Sequence, residues 1–243
     1  MTKDDKTTKG GLMTVAVCLI AAACLAIFGN SSRRLQEPAS QQPSSDDSDA
    51  LRKAVMREGL RGAAKLRGNY VEELDPHWDW GRLDLELLTK GSAAVIVGRF
   101  TKKLDTHLKG LWMIYTDYEV SVEEIVKGDL KQAKTIVISV PGGRITFEDG
   151  TSAEQTTPTF EHPLIGRAYA LFLTQDAAAP SVFSLSGGPQ GLFDIEDSKG
   201  VKSHGRPDDP ATVETKGKSR DAFMNDLREK GRKWPEPGKC CGG

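Results

Sequence analysis

Between Cys24 and Cys240 the chain has no cysteine. No disulfide framework for the folded part follows from such a distribution, and no thiolate metal site. An excess of one charge is missing as well: 33 Lys and Arg stand against 34 Asp and Glu, for a formal net charge of −1. A nucleic-acid binder needs a basic surplus to engage phosphates, so no nucleic-acid partner is expected. Histidine is sparse, and His77, His107, His162 and His204 stand singly, without the His-x3-His or Cys-x2-Cys spacing of a zinc site. Each reads as a surface loop residue. No Gly-x-Ser-x-Gly elbow marks a nucleophile. PGGR at 141–144 and SGGP at 186–189 lack the Lys-Ser/Thr ending of a phosphate loop and read as turns that need positive φ. Glu123 and Glu124 adjoin on a strand and face opposite sides, so they cannot share a proton. Neither a cofactor nor a metal is expected, and no catalytic residue is assigned.

What the chain does have is an uncharged apolar run at residues 11–29, GLMTVAVCLIAAACLAIFG, behind Lys3, Lys6 and Lys9. At about 1.5 Å per residue it is just long enough to cross a hydrocarbon layer of about 30 Å. Three readings are open. Residues 1–10 and 11–29 form a cytoplasmic n-region and an uncleaved transmembrane signal anchor, Cys24 is a lipidated lipoprotein terminus, or the run is cleaved after Ala21-Ala22-Ala23. Leu25 to Phe28 extend the run past Cys24 and favour the first. With three lysines ahead of the run and Arg33 and Arg34 behind it, the C-terminal part is expected outside the cytoplasm on a single-pass anchor.

Residues 30–50 are Ser, Gln, Pro and Asp with little apolar content, which reads as a disordered stalk. Residues 51–84 read as a basic helix and an aromatic connector. In the helix, LRKAVMREGLRGAAKLR, Leu51, Val55 and Leu66 share one face, while Arg57, Arg61 and Lys65 lie opposite, placed to rest on lipid head groups. In the connector, YVEELDPHWDW, the Asp75-Pro76 step reads as a turn, with Trp78 and Trp80 folded against the domain that follows.

That domain spans residues 85–201. A short helix over residues 83–90 ends at Gly91. AAVIV at 93–97 is a strand buried on both faces, and 114–122 alternates as a half-buried one. TIVISV at 135–140, a short strand at 144–147, AYALFL at 168–173, and segments 182–185 and 192–195 follow, with a polar loop at 151–163 and a last hairpin closing toward Val201. Short strands between turn signals predict a mainly β fold, a small antiparallel barrel with flanking helices behind the N-terminal transmembrane helix. Residues 202–243 read as a linker, a helix over 219–230 with Ser219 as N-cap, and a tail ending in Cys240 and Cys241. Those thiols are open to dimerisation or a metal contact.

The strings GSAAVIVGRF, YTDYEVSVEEIVKGDL, VPGG, GRAYALFL and GGPQGLFDI resemble a set of bacterial extracytoplasmic domains. Those domains are similar in turn to the OB-fold barrels of the netrin and tissue-inhibitor-of-metalloproteinase type. The resemblance covers about half the chain and implies an OB-like barrel. The inhibitors act through an N-terminal cysteine, which has no counterpart near residue 85, so the fold is implied and not that inhibition.

The expected function is a membrane-tethered extracytoplasmic binding or scaffold module with a protein or glycan partner. Its binding face is the long polar loop with Arg144, Glu161, His162 and Arg167 around it. The alternative is a hydrolase-like enzyme whose site is assembled from loops.

Overall fold

The computed structural model describes residues 45–74, 81–130, 133–157, 160–175, 179, 181–197 and 199–235. The apolar run, residues 30–44, His77, Trp78, Trp80 and all four cysteines lie outside them. Among the described residues no helix is long and apolar enough to cross a membrane.

Helix α1 (Ser45–Arg67) opens the domain, beginning inside the stretch read as stalk. It breaks sharply at Gly59, whose φ of 61° and ψ of −143° are not helical. The break corrects the expected apolar stripe. Beyond Gly59 the 100° periodicity is reset, so Leu60, Ala63 and Ala64 are buried and Leu66 stands 53% exposed. The three basic residues opposite also have contacts of their own. Arg57 and Lys65 both donate to the Glu58 carboxylate, at 2.7 and 2.8 Å, and the Arg61 guanidinium lies 5.2 Å over the Phe147 ring.

Strand β1 (Asn69–Glu73) and helix α2 (Leu85–Gly91) precede the main sheet. Asp84 caps α2 by accepting from Leu87 N at 2.7 Å. The sheet then runs through β2 (Ala94–Lys109), β3 (Met113–Lys127) and β4 (Thr135–Pro141). Next come β5 (Gly143–Thr146) and β6 (Ser152–Thr156), then β7 (Ala168–Gln175), β8 (Val182–Leu185), β9 (Leu192–Asp194) and β10 (Lys202–Ser203). Helices α3 (Pro210–Thr215) and α4 (Arg220–Lys233) are the last described elements. As expected, Ser219 caps α4, accepting from Ala222 N at 3.3 Å. The region read as linker instead holds β10 and α3, with Ala211 and Thr215 buried. The loop expected at 151–163 contains β6, which joins β1 and β5 in a separate three-stranded sheet.

The fold is mainly β and the main sheet is partly closed. Strands β2, β3, β4, β8 and β7 pair in that order, and β7 pairs again with β2. A ring of five strands cannot alternate direction all the way round, because five is odd. One pair must be parallel, and it is β4 with β8, which corrects the all-antiparallel expectation. The closure is partial because two strands share one edge of β7: β9 takes Tyr169, Ala170 and Leu171, and β8 takes Leu173, Thr174 and Gln175.

Strand periodicity divides the core in two. Ile96 and Phe100 point into the ring with Val120, Ile136, Ile138 and Leu171, while Val95, Val97, Phe172 and Phe193 point outward beneath α2 and α4. The apolar run 93–97 is therefore buried on both faces, as its lack of alternation implies. Val122 is only partly buried. Gly98 sits at a close approach inside the ring, and a β-carbon there would lie 2.5 Å from Val120 Cγ1.

Candidate binding recess

Residues 160–167 link β6 to β7 and are laced to the rim of the ring. Phe100 N donates to Arg167 O at 3.1 Å, Gly166 N donates back to Phe100 O at 2.8 Å, and Leu164 N donates to the Tyr169 hydroxyl at 3.0 Å. Gly166 permits the tight return with φ 87°. This turn places Glu161, His162, Leu164 and Arg167 along one wall of a recess of 410 Å³. Tyr169, Asp194, Lys202 and His204 form the other wall, where His204 N is fixed by Leu192 O at 3.0 Å.

Three of the four residues expected on the binding face thus meet: Glu161, His162 and Arg167. Arg144 does not join them. It lies on β5, donates to Ser152 Oγ at 3.2 Å and stands 4.0 Å from the Glu154 carboxylate. Strand β6, unrecognised in the sequence, holds it there. A smaller recess of 170 Å³ lies on that side, lined by Gly143, Gln155, Thr157, Phe160 and His162, so the His162 ring borders both.

Both cations in the larger recess are matched by acids. Arg167 Nη2 lies 3.0 Å from Asp194 Oδ2, and Lys202 Nζ lies 3.1 Å from Glu161 Oε2. Asp194 is almost fully buried, and its Oδ1 also accepts from Glu196 N at 2.9 Å. Asp197 closes its own turn by accepting from Lys199 N at 2.9 Å.

The imidazoles are not free surface groups, a correction for both: His204 is buried and His162 is half-buried. Their rings flank Phe160, with centroids at 5.8 and 6.1 Å, and His204 also meets Tyr169 edge-on at 5.8 Å. Tyr169 in turn packs on Phe100, and Phe100 on Tyr118, so an aromatic chain plugs this end of the ring. Burial raises the Tyr118 hydroxyl to about 12, and the hydroxyl lies 3.0 Å from His162 Nδ1. A phenol so reluctant to ionise stays an O–H group, which donates to Nδ1 or accepts from it according to the imidazole tautomer. Burial, seconded by Lys103, lowers the pKa of His162. Burial and then Lys202 lower that of His204, against weaker opposite pulls from Asp194, Glu161 and a hydrogen bond to the Glu161 backbone. His204 Nε2 is buried and has no hydrogen-bond partner among the described residues.

The residues that carried the family resemblance serve architecture instead. Arg99 Nε donates to Glu123 at 2.7 Å, its Nη2 to Glu196 at 2.9 Å and its Nη1 to the Gly166 carbonyl at 2.6 Å. Glu124, on the opposite face, takes both Arg228 Nε and Nη2, at 2.7 and 2.9 Å. Lys127 Nζ is buried among the carbonyls of Thr89, Lys90 and Ser92. A larger recess of 660 Å³ opens beside Lys127 at the far end of the ring, where α4 ends. Its buried ammonium is already consumed by α2, so that recess has less to offer a ligand. Among the described residues no group of three or more His, Cys, Asp and Glu side chains is placed to hold a metal.

Sequence reasoning missed Asp194, Lys202 and His204. One signal was present for Asp194: a single acid inside the apolar string LFDI must be buried and paired if that string is a strand. Lys202 and His204 stood in a polar stretch without periodicity. No protein-family model matches the chain, and no curated protein matches it.

Proposed function

We propose that the chain is a binding or scaffold module, held outside the cytoplasm by the apolar run, that captures its ligand in the recess at the ring's plugged end. The ring order, with one parallel closure between β4 and β8, supports reading the partly closed sheet as an OB-like barrel. The observation that carries the reading is the state of the recess side chains. Arg167 and Lys202 are each bound to an acid, and burial holds both imidazoles toward the neutral form. Such a surface offers fixed donors and acceptors for recognition, and nothing in it pairs a nucleophile with a base. Arg57, Arg61 and Lys65 reach lipid head groups in this reading only by exchanging their contacts with Glu58 and Phe147.

Site-specific photo-crosslinking in cells tests it. A photoreactive residue at Leu164, on the recess wall and 57% exposed, should form a discrete adduct. The same residue at Val213, 60% exposed on α3, should form none. Identical patterns at both positions, or no adduct at 164, count against the reading. Protease added to intact spheroplasts should digest the domain; full protection argues against an extracytoplasmic location.

A further inference from the structure

The chemistry left available in the recess narrows the class of ligand, an inference that rests on the recess being the binding site. An anion finds no free cation there, because Arg167 and Lys202 are engaged and Asp194, Glu161 and Asp197 give the walls one more acid than base. An apolar ligand would leave charged walls desolvated. What the walls present is donors and acceptors already set in pairs. The Arg167–Asp194 pair is held by Glu196 N, and Lys202 meets Glu161 at 3.1 Å.

One group stands out. His204 Nε2 has no hydrogen-bond partner among the described residues. His204 is only 7% exposed, so bulk water does not satisfy it. A buried polar atom left unpaired costs about 1–3 kcal/mol, which a ligand group that pairs with it recovers. The group that both donates and accepts, and carries no charge, is a hydroxyl. Leu164, exposed at the rim, adds an apolar surface suited to the C–H face of a ring. The recess volume of 410 Å³ falls within the range of small-molecule sites, roughly 300–1,000 Å³.

We propose that the recess takes a neutral polyhydroxylated ligand, a glycan, with one ligand hydroxyl pairing with His204 Nε2 and others bridging the Arg167–Asp194 pair. A hydroxyl pairs with that nitrogen in either tautomer, and His162 adds a second imidazole to the lining.

The test uses the full chain in a detergent without a sugar head group, with histidine ring resonances followed by NMR. Triacetylchitotriose and maltotriose serve as neutral probes, and inorganic phosphate as the anionic one. A neutral trisaccharide is expected to shift the His162 and His204 rings saturably and leave His107 unmoved. His204→Phe should weaken that binding by about tenfold, the equivalent of one hydrogen bond. His204→Gln, which keeps a hydrogen-bonding group, should retain more of it and guards against a variant that fails to fold. Arg144→Ala should bind like the parent. Shifts produced by phosphate and by neither saccharide overturn the glycan assignment while leaving the recess as a binding site. No shift with any probe overturns the glycan assignment as well, and a missing adduct at position 164 then removes the recess reading too.

Discussion

Lys127 and Thr89 are joined by a hydrogen bond of 2.5 Å from a buried ammonium to a helix carbonyl. The same Nζ reaches Lys90 O at 3.1 Å and Ser92 O at 2.8 Å, so one lysine closes the C-terminal end of α2. Carbonyls at a helix end lack intrahelical partners and carry partial negative charge, which is why a cation belongs there. Lys127→Met keeps the length of the side chain and removes the donors. The buried carbonyls then go unpaired, and the loss expected in urea unfolding is about 1–3 kcal/mol. An unchanged midpoint and slope would show that water replaces the ammonium freely.

Gly98 is a second place where the motif answers to packing. Its missing β-carbon is what lets Val120, Leu171 and Ile96 meet inside the ring. Gly98→Ala puts a methyl group 2.5 Å from Val120 Cγ1, and overpacking of this kind costs about 1–3 kcal/mol. Gly98→Ala with Val120→Ala should recover part of the loss, because the clash is then relieved. A double variant no more stable than Gly98→Ala alone would place the cost elsewhere.

Ile138 lies fully buried in the ring's inner cluster, between Tyr118 on β3 and Phe183 on β8 in the strand register. Ile138→Ala is expected to lower stability by about 2–5 kcal/mol, the range for a large core aliphatic cut to a methyl group. A loss well under this range would mean that the strands on either side of Ile138 collapse readily onto the space.

How much of this was legible follows from the kind of signal each element leaves. The long strands were visible because burial on one or two faces writes a period into the sequence: 135–140 and 168–173 fall inside β4 and β7. Strand β6 was missed because Ser152, Gln155 and Thr156 look like loop. Gln155 is nonetheless 1% exposed, since its side chain substitutes for backbone pairing, accepting from Ile114 N at 2.6 Å and donating to Trp112 O at 2.7 Å. A buried amide satisfied by distant backbone has no local signature. The same holds for the recess. Glu161, His162 and Arg167 were grouped because they are close in sequence, and Arg144 was grouped with them because β6 had been read as loop; it does not line the recess. Asp194 comes from β9 and His204 follows β10, and only the topology brings them in.

Arg167 and Arg144 give a direct comparison of a residue that lines the recess with one that does not. Arg167→Ala strands the Asp194 carboxylate, whose side chain is 6% exposed, and should cost about 2 kcal/mol along with ligand binding. Arg144 is 57% exposed in its side chain, so Arg144→Ala should change stability by less than about 0.5 kcal/mol and leave binding alone. Thermal unfolding and the NMR titration read both effects. Equal losses of binding in the two variants would restore Arg144 to the site.

The two histidines of the recess set the response to acid. In the unfolded chain His162 and His204 protonate near the ordinary value of 6.5, whereas in the fold burial, with Lys103 and Lys202 nearby, holds their pKa values lower. Above 6.5 neither state takes up these protons, so the histidines make stability independent of pH there. As pH falls through 6.5 the unfolded chain binds protons that the folded one refuses, and stability drops until the lower folded values are reached. The slope is at most about 1.4 kcal/mol per pH unit for each ring. Carboxylates held below their ordinary 4.5, such as Glu196 beside Arg99, add their own loss only at lower pH, so the window from 6.5 to about 5 belongs to the histidines. Urea unfolding at a series of pH values should therefore show stability declining across that window. His162→Phe with His204→Phe should flatten the decline. A decline that survives both substitutions would assign it to other groups, and a stability that rises on acidification would mean that the folded imidazoles are the protonated ones.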